Sequence, residues 1–212
     1  MLELAMLAPS AYCRIEADPT RYYHAPIFGG WYRSRLARCI DLLPRGKRVL
    51  EVGYGSGVSF LSLGEKYEEI HGVDPHGHAA DVSSTFAHTD LNLHLETGSV
   101  LNLPYEDVTF DAALAVSIHE HLPFERQSIA FAEVRRVLAP GGCYVVGVPG
   151  MNPLMTAAFF AMGWNIHDHH FCSEKQVLSV MRKHLDVDAP SYWPALLPRP
   201  ITAYVCARGW KR

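Results

Sequence analysis

Four clusters in this 212-residue chain hold residue types at spacings that can do chemistry. The first is VLEVGYGSG at 49–57, an apolar run that reaches Glu51 and continues into Gly53, Gly55 and Gly57. A strand running into glycines and then a helix offers free backbone N–H groups and room for a nucleotide-like ligand. The spacing is GxGxG, whereas the dinucleotide fingerprint is GxGxxG. A carboxylate at Glu51 would repel a pyrophosphate and suits a ligand with a positive end. The second cluster is HGVDPHG, where Asp74 has two acceptor oxygens for the two hydroxyls of a ribose. That fits NAD and adenosine-type ligands alike. The third is SIHEHLP at 117–123. Its His119, Glu120 and His121 are candidate bases, because imidazole titrates near neutrality and can take a proton from a hydroxyl, an amine or an activated carbon. The fourth places His167, Asp168, His169, His170 and Cys172 within six residues. Neighbours such as His169 and His170 point in different directions, and no established ligand spacing matches, so no metal is assigned.

The elements that must position these groups alternate. RVLEVG (48–53), IHGVD (70–74), NLHLETG (92–98), DAALAVS (111–117) and CYVVGVP (143–149) read as strands, most of them apolar enough to be buried on both faces. Helical patterns lie between them, with Phe60, Leu63, Gly64 and Tyr67 on one face and Phe131, Val134 and Leu138 on another. This is the rhythm of a doubly wound α/β fold. The expectation is a Rossmann-like sheet of about seven strands, mostly parallel with an antiparallel C-terminal strand, and helices on both faces. Upstream, Tyr32, Leu36, Cys39, Ile40 and Leu43 predict a helix before Pro44. Downstream, an irregular stretch runs to His170, and Ser173 with Gln176 forms a capping box for the next helix. Strands around Val187 and from Ile201 to Ala207 close the chain. The expected organisation is one domain over 1–212: a helical N-terminal cap at 1–47, a core at 48–150, and an acceptor-side cap with terminal strands at 151–212.

Composition narrows the function classes. The net charge of -3 argues against a dedicated nucleic-acid binder, and RGWKR at the C-terminus reads as a solvated tail. Five scattered cysteines without CxxC spacing make neither a disulfide framework nor a zinc knuckle, which points to a cytoplasmic protein. MLELAMLAPSAYC lacks a basic n-region, carries Glu3 and breaks at Pro9, so it is not read as a signal peptide. No apolar run is long enough to imply membrane insertion.

VLEVGYGSG, GVDPHG, TGSVLNLPYEDVTFDAALAVSIHEHLP and VRRVLAPGGCYVVGVPG occur in one order over 49–150. Together they resemble the class I S-adenosylmethionine-dependent methyltransferases of the ubiquinone-biosynthesis-like, small-molecule kind. The resemblance implies S-adenosyl-L-methionine as cofactor and S-adenosyl-L-homocysteine as product. It implies that Glu51 reaches the cofactor's ammonium, and that Gly53, Gly55 and Gly57 let the backbone approach, with Tyr54 alongside. Asp74 takes the ribose, Pro75 lies near the adenine, Ser99 and Val100 sit at the adenine edge, and Val116 approaches the methionine arm. Ser99 departs from the acidic residue more common there, which costs charge assistance of about 1 kcal/mol. The segments before and after this core normally cover the acceptor, so Tyr22, Tyr23, His167, His169 and His170 are expected to contact it. The partner implied is a small-molecule methyl acceptor, its O, N or C atom open, with no nucleic acid and a monomer or homodimer. An NAD(P)-binding oxidoreductase and a non-catalytic S-adenosylmethionine-binding partner protein are the alternatives.

Overall fold

Strands sandwiched between helices must be apolar on both faces, and the runs VLEV, AALAV and YVVGV are. The computed structural model describes residues 4–15, 18, 20–26, 29–153, 155–157, 170–195 and 201–212. Eight strands form one sheet: β1 (Gly46–Val52), β2 (Tyr67–Asp74), β3 (Leu93–Thr97), β4 (Phe110–Val116), β5 (Leu138–Pro149), β6 (Asp186–Val187), β7 (Ser191–Trp193) and β8 (Tyr204–Trp210). Their order is β3-β2-β1-β4-β5-β8-β6, with β7 also on the outer edge of β8. The first five strands pair in parallel, and β8 runs antiparallel to β5, β6 and β7.

Alternate side chains go to opposite faces of a strand, and each face here meets its own helices. Val49, Leu114 and Val145 share a buried cluster with Leu36 and Ile40 of α2 (Gly29–Leu42), Phe60 and Leu63 of α3 (Phe60–Gly64), and Val82 of α4 (Ala79–Thr85). Their strand neighbours Leu50, Ala113 and Val146 pack with Phe131 and Val134 of α5 (Phe124–Val137) and with Val177 and Met181 of α6 (Glu174–His184). A four-residue α1 (Thr20–Tyr23) precedes α2. The capping box at α6 is formed as expected: the Ser173 N–H donates to Gln176 Oε1 at 2.9 Å, and the Gln176 N–H to Ser173 Oγ at 3.4 Å.

Four expectations need correction. The helix expected to reach Tyr67 stops at Gly64, and Tyr67 opens β2 instead, its ring buried beside Gly46. Among the described residues three strands follow α6 rather than two, because β7 joins β6 on the outer edge of β8, and the last runs Tyr204–Trp210 rather than from Ile201 to Ala207. Within the stretch read as irregular, residues 153 and 155–157 are helical. RGWKR is not a free tail. Arg208 to Trp210 belong to β8, Arg208 pairs with Asp188 at 2.8 Å, and Lys211 Nζ donates to the Leu138 carbonyl at 2.6 Å.

Candidate active site

After β3 the chain returns to place β4 beside β1, so the strand order reverses between β1 and its two neighbours. Ligands of such sheets bind at that switch point, outside the carboxyl ends of the strands. Here those ends open on a cavity of about 750 Å3. A depression of about 420 Å3 lies at the opposite ends of β1 and β2, around Gly46 and Lys66, and contains none of the chemical clusters.

One half of the cavity is built by β1, β2 and the loop after β3. Gly53, Gly55 and Gly57 have φ of 75, 51 and 79°, a region open to glycine. A Cβ on Gly53 would overlap Ile118, and one on Gly55 would overlap the Asp18 carboxylate, so this turn also has no space for side chains. Gly57 lies beneath the turn rather than on the cavity wall, and a Cβ there would meet the Phe60 ring at 2.5 Å. Asp74 Oδ2 accepts the Gly55 N–H at 3.0 Å and Oδ1 accepts the His76 N–H at 3.1 Å, which fixes the acid at the tip of β2. Tyr54 is buried over Gly72 with its ring edge-on to His76, 4.9 Å between centroids. Pro75, Ser99, Val100 and Val116 complete this half; the Ser99 hydroxyl oxygen accepts the Leu101 N–H at 3.2 Å.

Glu51 lies at the floor, 4% exposed, with a hydrogen bond from the Ser59 hydroxyl. Burial pushes its carboxyl up to about 8, against the pull of Ser59, and the charges of Asp74 and Asp18 add to the rise. Between about pH 4.5 and 8 the unfolded chain has released this proton while the folded protein keeps it. Stability of the ligand-free protein therefore falls as pH rises through that window, by an amount on the order of a few kcal/mol. Glu51→Gln is expected to flatten the loss, read as Tm against pH. A buried acid whose ionisation a neighbouring cation would favour, a second acid held at the tip of β2 and largely apolar walls suit a ligand with a positive end and hydroxyl groups.

The other half is framed by α1, α2, the tip of β4 and the segment at His170. Tyr23, Tyr32, Arg35, Ser117, Glu120, His121 and His170 line it. Arg35 is 6% exposed, stacked 4.1 Å from the Tyr32 ring centroid, and donates to Ser117 Oγ at 3.1 Å. Ser117 leaves β4 with φ of 57°, a strained value for a residue with a side chain, and shares a 3.0 Å hydrogen bond with Tyr204. Glu120 is 1% exposed, and burial lifts its carboxyl to about 8 against its own backbone N–H and the charge of Arg35.

His119 does not belong to this site. Its ring is fully buried, stacked on Phe131 at 4.3 Å. Gln127 donates its amide to the carbonyls of His119 and Leu122, so its oxygen faces His119 Nδ1 at 2.7 Å. Nδ1 therefore carries the proton, and Nε2 accepts from the Tyr144 hydroxyl at 2.8 Å. Both nitrogens are occupied, and burial drops the imidazole to about 4. Tyr22 also turns away from the cavity, stacking on Tyr32 and accepting a 2.7 Å bond from Arg21. His167 and His169 lie outside the described residues. Asp18, Arg35, Ser59 and Ser117 were missed in the sequence. Only Arg35 leaves a trace there, as a charge beside Leu36 on the inward face of a helix.

A family model described as a methyltransferase domain matches residues 50–146. The demethylmenaquinone methyltransferase of Deinococcus radiodurans is 34% identical over 120 residues, 55% of this chain and 48% of that protein. The fatty-acid O-methyltransferase of Mycolicibacterium smegmatis is 35% identical over 102 residues, 47% of this chain and 36% of that protein. This chain thus spans half or less of the length of both relatives. The geranyl diphosphate C-methyltransferase of Streptomyces coelicolor A3(2), solved with Mg2+, geranyl diphosphate and S-adenosyl-L-homocysteine, has the same fold: TM-score 0.71, 13% identity, 99% of this chain and 90% of that one covered. Residues 50–146 are thus similar to a methyltransferase domain, and the sheet order, with its cleft at the switch point, is the fold of the solved methyltransferase.

Proposed function

We propose that this protein transfers a methyl group from S-adenosyl-L-methionine to a small-molecule acceptor by in-line displacement, leaving S-adenosyl-L-homocysteine. The carrying observation is that Glu51, Asp74 and the glycine turn meet in one cavity, which continues past the tip of β4 into a second, aromatic and titratable half. When bound, the cofactor supplies a methyl group already activated on a sulfonium. The chain's task is then to align and dry the acceptor, and positioning of that kind is worth about 7–11 kcal/mol of barrier. Glu51 takes the ammonium and Asp74 the ribose diol. Pro75, Ser99 and Val100 flank the adenine, and Val116 borders the methionine arm. Tyr23, Tyr32 and Arg35 hold the acceptor, with Glu120 and His121 on the wall that it meets.

Small acceptors are supported by the demethylmenaquinone and fatty-acid enzymes among the relatives. No helix among the described residues is long and apolar enough to cross a membrane, which accords with action in the cytoplasm. The chain is read as one catalytic unit, monomeric or homodimeric and without a nucleic-acid partner, in which residues 10–32 and the segment ending at His170 cover the acceptor.

Thermal unfolding with S-adenosyl-L-homocysteine against NAD tests the reading. At a hundredfold excess over Kd the ligand adds about 2.7 kcal/mol, or roughly 5–10 °C in Tm for a domain of this size. A shift with NAD and none with S-adenosyl-L-homocysteine would sink it.

A further inference from the structure

Methyl transfer as proposed needs a positioned acceptor, yet one wall of the cavity has a group of ligand atoms beyond that need. The turn His119–His121 follows β4, and the chain re-enters beside it at His170. The N–H groups of Phe171 and Cys172 donate to the Glu120 carbonyl at 2.7 and 3.3 Å, and the Cys172 thiol donates to the Leu122 carbonyl at 3.3 Å. These bonds join the two segments through backbone groups and the Cys172 thiol. They leave the two imidazole centroids 5.1 Å apart at 81°. One ligand atom from each of the three residues lies within 4.8 Å of the other two. All three residues line the cavity. Glu120, at 1% exposure, has its own backbone N–H and the Ser117 hydroxyl close by, and neither carboxylate oxygen reaches hydrogen-bond geometry among the described residues.

We propose that Glu120, His121 and His170 bind one divalent transition-metal ion whose remaining coordination positions face the acceptor half of the cavity. Two imidazoles and a carboxylate suit Zn2+, Co2+ or Fe2+, whereas Mg2+ and Ca2+ prefer oxygen-only shells. Ligand atoms around a tetrahedral ion with bonds of 2.0–2.1 Å stand about 3.3 Å apart. Closing the cluster from 4.8 Å is within reach of side-chain rotation, since His121 is exposed and His170 half-buried. The ion satisfies the buried carboxylate and offers open positions to an oxygen of the incoming molecule: a hydroxyl, carboxylate or phosphate. Only the identification of that molecule as the methyl acceptor rests on the proposed function; the metal site does not.

Chelator-treated full-length protein titrated with Zn2+ by calorimetry, and with Co2+ by visible absorption, tests the site. One ion per chain is expected. Glu120→Gln and His170→Ala should each weaken binding at least tenfold and remove the Co2+ bands. Each variant must unfold cooperatively by circular dichroism, and His121→Ala, at an exposed position, replaces one that does not. A second cluster, Glu69, His71 and His94 on β2 and β3, makes His94→Ala the control. The proposal is overturned by absence of stoichiometric Zn2+ binding, by binding unchanged in the variants, or by loss of binding in His94→Ala alone. Because the titrations use neither methyl donor nor acceptor, a failed methyltransferase reading would leave their result standing.

Discussion

Asp74→Ala is expected to reduce the Tm rise produced by S-adenosyl-L-homocysteine from roughly 5–10 °C to about 1 °C at the same ligand concentration. The tip of β2 aims this carboxylate into the cavity, held by the N–H groups of Gly55 and His76. Each oxygen retains acceptor capacity for a ribose hydroxyl. Hydrogen bonds to a charged acceptor are worth about 1.5–3 kcal/mol each, so losing two weakens binding about a hundredfold or more. A ligand at a hundred times Kd then sits near its new Kd and adds only about 0.4 kcal/mol. Asp74→Asn, which keeps an acceptor for Gly55 and loses the charge, should fall between the two. An unchanged Tm rise in Asp74→Ala would mean that the ribose is held elsewhere.

His119→Ala should damage the fold and spare the cofactor half. Removing a buried aromatic ring costs about 3–5 kcal/mol. The substitution also strips Gln127 Oε1 and the Tyr144 hydroxyl of partners, at about 1–3 kcal/mol for each group left unsatisfied. A Tm drop of at least about 10 °C follows, while the increment added by S-adenosyl-L-homocysteine persists. A base in contact with the acceptor would behave in the opposite way, losing turnover with little loss of stability. The pH dependence provides a second readout. The folded ring titrates near 4, below the ordinary value of 6.5. Between those values the unfolded chain takes up a proton that the folded ring refuses, so the stability His119 contributes is lost as pH falls through the window. The loss is on the order of 3 kcal/mol and should be absent in His119→Ala. Acid-side unfolding of the same slope in the variant would place the titrating group elsewhere.

The half of the cavity at the glycine turn was legible because its contacts are local. A strand that ends in Glu51, turns through Gly53 and Gly55 and is followed by a strand ending in Asp74 brings those groups together through two β-strand tips and one short crossover. Parallel pairing of β1 and β2, with Val52 opposite Val73, then places the turn beside the acid. The half past the tip of β4 was legible only in part. His119, Glu120 and His121 are consecutive in a 3-10 turn, where successive side chains stand about 120° apart. Sequence alone puts all three near the tip of β4 and cannot set the phase. Packing against Phe131, Gln127 and Tyr144 rotates His119 into the core and leaves its two neighbours on the cavity wall.

The same division holds across the molecule. The sequence by itself determined the doubly wound order of elements, the glycine turn, the two acids beside it and the capping box of α6. Each is written in periodicity or in contacts between near neighbours. Only the tertiary structure decided that Arg35 enters the cavity, that Asp18 closes over the glycine turn, and that His170 stands against Glu120 and His121. Those contacts join segments tens of residues apart, and their side chains are oriented by the packing of α2, β4 and β8 rather than by their own neighbours in the chain.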